Sequence, residues 1–224
     1  MKNFEKWNEE MFRKHATTDR YEEQINPVLR MLSTIRMKQI IRLVNAQPHE
    51  HILEVGCGSG QIIRRINKGK VLGIDYSSTA VSMAKRNTKD KEYVTVMKMD
   101  AQKINLPSNK FDKIICAEVL EHLEHPAKVL QGIRRIAKPG AKVILSFPND
   151  RVLDKIRVIL IKTGIFDILF KGADKHMEWH IQKFTPKSFR KLLERNGLKV
   201  KRTYLSPPLV WPPYSYIVTA TVEK

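Results

Sequence analysis

The segment that most constrains the fold is a short apolar run that enters a turn with three glycines, Ile52-Leu53-Glu54-Val55-Gly56-Cys57-Gly58-Ser59-Gly60-Gln61. The pattern predicts a buried strand, a tight loop and a helix that starts at about Gln61. Glycine allows backbone angles that other residues avoid, and without side chains it lets a ligand touch the main chain. A helix beginning there would direct free N–H groups at that ligand. The segment therefore predicts a small-molecule cradle.

The spacing of the glycines narrows the class of ligand. A dinucleotide-binding loop follows the pattern G-x-G-x-x-G and would need glycine or alanine at position 61, where this chain has Gln61. Here the third glycine is Gly60, and Glu54 lies two residues before the first. A carboxylate so close suits an ammonium or sulfonium centre better than a pyrophosphate. The pattern E-x-G-x-G-x-G after an apolar strand resembles the S-adenosylmethionine loop of class I methyltransferases, and the resemblance covers about residues 50–148.

Strand-like and helix-like segments alternate from residue 50 onward. We expect strands at 51–55, 70–75, 93–98, 111–117 and 141–147, helices at 60–68, 78–88, 126–138 and 186–196, and two closing strands near 198–200 and 216–220. Short, continuous apolar strands are typical of a parallel sheet buried on both faces. The pattern predicts an α/β, Rossmann-like, doubly wound sheet of seven strands. The resemblance implies that it is mostly parallel, with an antiparallel last strand.

The chain, at 224 residues with 42% hydrophobic content, is long enough for one well-cored domain with appendages. Residues 1–49 are predicted to form an N-terminal helical arm, from the spacing of Phe4, Trp7 and Phe12 and from an apolar stretch at 28–46. The arm either covers the cofactor as a lid or packs on the sheet edge. Residues 50–224 form the methyltransferase domain, with a helical insertion at about 151–180. That apolar, basic insertion fits a substrate lid, a membrane-surface helix or a buried helix.

Acidic residues follow successive predicted strands, where ligands bind in open α/β sheets. Asp75 ends the second strand and Asp100 follows the third; either one alone could instead cap a helix. The resemblance implies that Asp75 binds the ribose, that Tyr76 contacts the adenine, and that Asp100 and the Ala101 N–H bind the adenine edge. It assigns S-adenosylmethionine as the cofactor. The implied contacts are Glu54, Gly56, Cys57, Gly58, Gly60, Asp75, Tyr76, Asp100, Ala101, Ala117 and Glu118.

A second cluster of chemically active residues follows the fourth strand. If a helical turn forms there, Glu118, Glu121 and His122 lie at i, i+3 and i+4 on one face. With His180 as a further ligand, they predict a divalent-metal site for Mg, Mn or Zn, in which His122 or His180 takes the acceptor proton. His176 is a rival for His180. The other interpretation is that the apolar residues of this segment pack and its charges are solvated.

This second cluster resembles the one shared by the ubiquinone-biosynthesis O-methyltransferases and the methyltransferases that modify the terminal 2′-hydroxyl of small RNAs. The sequence resembles the ubiquinone-biosynthesis enzymes, and the wider methyltransferase type 11 group, more than it resembles the RNA-modifying enzymes. This resemblance implies O-methylation of a lipophilic or phenolic small molecule. The alternatives are RNA 2′-O-methylation and a non-catalytic cofactor-binding subunit.

The charge balance bears on partners. A net charge of +18 predicts attraction to RNA or to an anionic membrane surface, although charges spread along the chain also fit a generally solvated basic surface. No RNA-binding module is recognisable. Aromatic residues make up only 8% of the chain, so few side chains are present on which RNA bases could stack. We expect a cytoplasmic protein, whose contact with a membrane would be peripheral. The two cysteines lie far apart, and the sequence shows neither a signal-peptide core nor a run of roughly 18 apolar residues.

Overall fold

The computed structural model describes residues 9–10, 13, 27–164 and 180–224. Its elements are, in chain order, α1 (Pro27–Val44), β1 (His51–Val55), β2 (Lys70–Asp75), α2 (Ser78–Asn87), β3 (Val94–Lys98), β4 (Phe111–Ala117), α3 (Pro126–Ile136), β5 (Ala137–Pro148), α4 (Asp150–Lys162), α5 (Pro186–Arg195), β6 (Leu198–Ser206) and β7 (Ser215–Val222). Short 3₁₀ turns occur at Ile63–Arg65, Ala101–Lys103 and Leu120–His122. The predicted helix around Phe4, Trp7 and Phe12, the second half of the insertion, and His176 lie outside the described residues.

The seven strands form one sheet in the order β3-β2-β1-β4-β5-β7-β6. Strands β1 to β5 pair in parallel, and β7 runs antiparallel between β5 and β6. The prediction of a doubly wound, mostly parallel sheet with an antiparallel last strand is confirmed. Because the strand order reverses between β1 and β4, a crevice opens at their carboxyl ends, where open α/β sheets bind ligands.

Helices cover both faces of this sheet. Successive residues of β1 alternate between two cores: Leu53 and Val55 pack with α3 and α5, whereas Ile52 packs with α1 and α2. The central strands β4 and β5 follow the same alternation. A strand buried on both faces needs apolar side chains at every position, which explains the continuous apolar runs in the sequence.

One predicted helix is wrong. The segment 60–68 forms only the 3₁₀ turn Ile63–Arg65, and the chain is already extended at Ile66. Arg64 N–H reaches back four residues to Gly60, whereas the next two N–H groups reach back only three. The β-branched isoleucines of this segment favour helix weakly, and Gly69 turns the chain at φ +84° soon afterwards, so there is no room for a stable helix.

The first half of the predicted insertion is α4, which ends at Lys162 just before Gly164 turns the chain at φ +71°. Within the described ranges, no helix combines the length and the hydropathy that crossing a bilayer requires.

Candidate active site

The glycine loop lies at the carboxyl end of β1, in the crevice. Gly56, Gly58 and Gly60 all adopt positive φ angles, of +71°, +50° and +82°. The N–H groups of Gly56 and Cys57 both donate to the Ile74 carbonyl, at 2.8 and 3.0 Å, which fastens the loop to β2. A Cβ atom on Gly56 would lie 2.4 Å from Cγ2 of Val119. The loop therefore passes through a gap that only a glycine can fill.

Asp75 connects this loop to α2. Its carboxylate, only 7% exposed, accepts from Gly58 N–H at 2.8 Å and from Ser77 N–H at 2.9 Å. Burial raises the pKa of Asp75, and these two N–H donors oppose that rise. Each oxygen keeps a further lone pair, so the carboxylate is able to accept from ligand hydroxyls while it holds the loop in place.

Glu54 provides the test of whether a cationic ligand fits the cradle. The side chain is 3% exposed, and its Oε2 has no hydrogen-bond partner within the part of the chain that the structure describes. Burial raises its pKa well above the ordinary value; the Ile63 N–H opposes this rise, and nearby Asp75 adds to it. A buried carboxylate with one oxygen left without a partner is unfavourable. The residues present therefore fit S-adenosylmethionine, whose ammonium and sulfonium groups supply the missing positive charge.

The remaining predicted cofactor contacts follow the carboxyl ends of β1 to β4. Met99 N–H donates to the Asp75 carbonyl at 2.8 Å, which joins the ends of β2 and β3. Asp100 caps the 3₁₀ turn Ala101–Lys103 by accepting from Gln102 N–H at 2.8 Å. The half-buried Tyr76 lies beneath the ammonium group of Lys98, 5.7 Å from the ring centroid. Ala117 ends β4. The structure thus brings the predicted contacts to one edge of the sheet, and their individual roles stay predictions.

Cys57 contributes to this edge through its backbone. Burial, and then the nearby Glu54 and Asp75 carboxylates, raise the pKa of the Cys57 thiol well above its usual range. The side chain is therefore an uncharged, buried group that packs beneath the loop.

Glu118 does not lie where the predicted helical turn would put it. The 3₁₀ turn begins only at Leu120, and Glu118 precedes it with φ +54°. Its carboxylate accepts from the Ser146 hydroxyl at 2.9 Å and from Arg36 Nη1 at 3.0 Å. Glu118 is thus paired with Arg36 of α1 and precedes the turn that carries Glu121 and His122, and its role as a metal ligand stays a prediction.

Arg36 is a site residue that sequence reasoning missed. Its side chain is 16% exposed, and its guanidinium lies 5.9 Å from the centroid of the Tyr214 ring. Burial lowers the pKa of Arg36, but the charges of Glu118, Tyr214 and Glu121 raise it, and the net shift is upward. One signal was available: Arg36 lies four residues from Leu32 and four from Ile40, so a cation interrupts an apolar face of α1.

Glu121, His122 and His180 come together at the crevice. One potential ligand atom from each lies within 4.8 Å of the others, and the two imidazole centroids are 5.0 Å apart. Gln182 N–H donates to the Glu121 carbonyl at 2.9 Å, which holds the His180 segment against the 3₁₀ turn. The predicted ligand set is thus brought together except for Glu118.

The Glu121 carboxylate tests whether a cation fits this cluster. It is fully buried, and neither of its oxygens finds a hydrogen-bond donor among the residues described. Burial, and then the Glu118 carboxylate, raise its pKa well above the ordinary value, although Arg36 acts in the opposite direction. A divalent cation would remove this unfavourable burial, so the donor set fits a metal ion.

Asp150 is the second site residue that the sequence analysis missed. It begins α4, is 5% exposed, and its Oδ1 lies 2.6 Å from His180 Nδ1. The neighbouring Asn149 fastens this point to the β6–β7 loop, through Nδ2 to the Pro213 carbonyl at 2.9 Å and N–H to the Tyr214 carbonyl at 2.9 Å. The signal was an acidic residue two positions after the end of β5, which extends the strand-end pattern by one strand.

Known proteins that resemble this chain in sequence are methyltransferases, which agrees with the fold and with the predicted cofactor contacts at the carboxyl ends of the strands. A family model described as "Methyltransferase domain" matches residues 53–145. The ubiquinone biosynthesis O-methyltransferase of Coxiella burnetii is 25% identical over 175 residues, covering 77% of this chain and 73% of that protein. Its counterpart in Histophilus somni is 28% identical over 153 residues, covering 65% and 64%.

Solved structures share the fold at low sequence identity. A chain of the Haloferax volcanii complex that contains the Trm112 methyltransferase activator superposes with a TM-score of 0.72 at 15% identity, covering 96% of this chain and 97% of that one. Magnesium protoporphyrin IX methyltransferase from Synechocystis PCC 6803, with bound SAH, has a TM-score of 0.65 at 22% identity, covering 87% and 85%.

The sheet order, the glycine loop and the strand-end carboxylates define the class I methyltransferase architecture. Together with the methyltransferase-domain match over residues 53–145 and the curated relatives, they indicate a class I S-adenosylmethionine-dependent methyltransferase.

Proposed function

We propose that this methyltransferase transfers the methyl group of S-adenosylmethionine to a hydroxyl oxygen of a lipophilic or phenolic small molecule, with a divalent metal held by Glu121, His122 and His180. The observation that carries the proposal is the buried Glu121 carboxylate, which has no hydrogen-bond donor among the described residues and lies beside two imidazoles. It lies at the carboxyl edge of the sheet that also carries the glycine loop. The ubiquinone biosynthesis O-methyltransferases among the relatives support the choice of oxygen and of a phenolic acceptor.

The donor set bears on which metal would bind. Because Glu118 is engaged by Arg36, the cluster offers one carboxylate and two imidazoles. Magnesium prefers oxygen ligands, and here only one of the three side chains supplies oxygen. Imidazole nitrogen favours zinc or manganese. We therefore expect Zn²⁺ and Mn²⁺ to bind more tightly than Mg²⁺.

The residues of the site divide the work between cofactor and acceptor. Bound S-adenosylmethionine supplies an electrophilic methyl group. Asp75 and the glycine loop, which lets the cofactor approach the main chain closely, orient the cofactor, and Glu54 balances its positive charge. Without a cation, His122 and His180 are the groups placed to take the acceptor proton. A divalent cation held through their imidazole nitrogens would instead lower the pKa of an acceptor hydroxyl. Orientation of the acceptor contributes further to the rate.

Exposed apolar side chains near the acceptor side support a lipophilic substrate. Ile181, next to His180, is 53% exposed, and Trp211 at the tip of the β6–β7 loop is 78% exposed. Helix α4, which starts beside that loop, adds the exposed side chains of Ile156, Val158 and Ile159. Basic residues accompany them, including the exposed Arg151 and Lys155. This mixture is typical of a surface that contacts an anionic lipid interface, where tryptophan is favoured.

We predict that Trp211→Ser weakens binding to vesicles that contain anionic lipid. The ring buries its apolar body in an interface, so its loss should reduce the vesicle partition coefficient by about 10-fold, as expected for roughly 1.5 kcal/mol of apolar burial. Co-sedimentation with phosphatidylglycerol vesicles measures it. Strand β3 lies at the opposite edge of the sheet from β6, and Thr95 on it is exposed, so Thr95→Ser is the control and should bind as the wild type does. Equal binding of all three proteins would contradict the surface assignment.

Label transfer tests the proposed activity. The purified protein is incubated with S-adenosylmethionine carrying a labelled methyl group, an alkylated catechol as acceptor, and total RNA, with Zn²⁺, Mn²⁺, Mg²⁺ or a chelator. We expect label in the organic extract and a loss of at least 10-fold with the chelator. Glu121→Gln should lower the rate and metal affinity by the same order. Its control is Glu124→Gln, because Glu124 lies three residues on and is exposed.

Two outcomes would overturn parts of this proposal. Label that enters RNA and not the organic extract would favour RNA 2′-O-methylation, for which the net charge of +18 is the supporting feature. A rate that the chelator and Glu121→Gln both leave unchanged would remove the metal from the mechanism and leave proton transfer to the histidines alone.

A further inference from the structure

The contact between Asp150 and His180 links the Glu121, His122 and His180 cluster to an acidic group outside it. Asp150 Oδ1 lies 2.6 Å from His180 Nδ1, and the two residues are 30 positions apart in sequence. The Asp150 side chain is 7% exposed and that of His180 is 21% exposed. Water therefore competes little for this contact.

The tautomer of His180 follows from the chemistry of that partner. A carboxylate oxygen accepts hydrogen bonds and has none to donate, so the hydrogen in this contact belongs to Nδ1. A neutral imidazole with hydrogen on Nδ1 carries its lone pair on Nε2. We propose that Asp150 is a positioning residue that fixes His180 in the Nδ1–H tautomer and leaves Nε2 as its basic, ligand-competent nitrogen. The inference deepens the proposed function, on which the use of Nε2 rests.

The surroundings of Asp150 give it the rigidity that a positioning residue needs. It is the first residue of α4, directly after Asn149, which the β6–β7 loop holds through two hydrogen bonds. On the other side, Gln182 N–H fastens the His180 segment to the Glu121 carbonyl. Both partners of the 2.6 Å contact are thus anchored by backbone hydrogen bonds to separate elements.

A second aspartate on the same helix, Asp154, forms surface ion pairs and does not contact His180. Asp154 lies one turn further along α4, where its carboxylate accepts from Arg157 at 2.6 Å and from Lys183 at 3.1 Å. Its side chain is 38% exposed. Asp154→Asn removes the same charge from the same helix without touching His180, so it is the matched control for Asp150→Asn.

Nuclear magnetic resonance of the apoprotein with ¹⁵N-labelled histidine reads the tautomer directly. His180→Gln identifies the resonances, since the chain has seven histidines. We expect Nδ1–H and an unprotonated Nε2 in the wild type and in Asp154→Asn. In Asp150→Asn, the new amide is able to donate to Nδ1, and the population of the Nε2–H tautomer should rise. Wild-type protein with hydrogen on Nε2 would overturn the inference without any variant.

Metal and cofactor affinities complete the test. Orienting partners of metal-binding histidines typically contribute about 10- to 100-fold in affinity, so Asp150→Asn should bind Mn²⁺ that much more weakly than Asp154→Asn. Binding of S-adenosylhomocysteine should stay within about twofold in both, which shows that the fold is intact. An unchanged tautomer and unchanged Mn²⁺ affinity in Asp150→Asn would refute the role of Asp150. If the wild type binds no Mn²⁺, the proposed metal site fails, while the tautomer still decides the inference.

Discussion

Replacement of Gly56 by alanine is expected to destabilise the protein and to remove cofactor binding together. The new Cβ atom would lie 2.4 Å from Cγ2 of Val119, and the backbone would keep a φ of +71° that a side chain makes unfavourable. The left-handed conformation costs about 1–2 kcal/mol. Overpacking adds roughly 1–3 kcal/mol. Since 1 kcal/mol shifts the Tm of a chain this size by about 2–4 °C, we expect a fall of about 5–15 °C by calorimetry.

The chain offers a control that separates the two causes. Gly140 has a φ of +72°, and a Cβ added there meets no atom within 4 Å. Gly140→Ala should therefore show the conformational cost alone and leave cofactor binding unchanged. The double variant Gly56→Ala with Val119→Ala should recover part of the lost Tm, because it removes the clashing methyl group. A Gly56→Ala protein as stable as Gly140→Ala would show that the loop relaxes freely.

Glu54→Gln is expected to stabilise the apoprotein and to weaken cofactor binding. Burial raises the pKa of Glu54 well above its ordinary value, so the charged form is unfavourable in the folded protein. Each unit of that shift corresponds to about 1.4 kcal/mol. Glutamine keeps the shape and removes the charge. The loss of the charge should weaken S-adenosylmethionine binding by about 30-fold, or roughly 2 kcal/mol.

The pH dependence of this stabilisation has a definite sign. Below a pH of about 4.3, the side chain is protonated in both the folded and the unfolded chain, and the wild type has its full stability. As the pH rises, the unfolded chain loses its proton first, so wild-type stability falls until the pH passes the folded pKa. The Tm difference between Glu54→Gln and the wild type should therefore grow as the pH rises from 5 to 8.

A control and a ligand complete that experiment. Glu92→Gln removes a carboxylate that is exposed, so its Tm should follow the wild type at every pH. Saturating S-adenosylmethionine should narrow or reverse the difference for Glu54→Gln, because the cofactor stabilises the charged form. A Tm difference that does not change with pH would mean that Glu54 is not the source of the unfavourable charge.

The cofactor half of the molecule could be predicted from the sequence because its information is local. Strand periodicity, the glycine spacing and the acids at strand ends are all properties of neighbouring residues between positions 51 and 101. The helix expected after Gly60 was the exception, since short-range propensity competes there with burial of isoleucine side chains and an early turn at Gly69. The predicted strands β1 to β5 fall within a few residues of their observed bounds.

The acceptor half depends on pairings that no local pattern contains. Arg36 meets Glu118 across 82 positions and Asp150 meets His180 across 30. The spacing of Glu118, Glu121 and His122 predicted one face of a helix, but a positive φ at Glu118 turned its carboxylate toward α1. Which of several acids pairs with a given cation follows from the packing of α1 and α4, and packing is decided by the whole fold.

The position of β7 has a consequence for the order in which the enzyme becomes competent. This strand inserts between β5 and β6 although it is the last of the seven to leave the ribosome, and it brings with it the loop that holds Asn149. A nascent chain that has reached residue 206 already carries every predicted cofactor contact, yet β5 still lacks its neighbour and Asp150 its anchored helix start. We therefore expect the predicted methyl-donor side of the crevice to be complete in the chain before β7 brings the loop that anchors Asn149, beside Asp150 and His180.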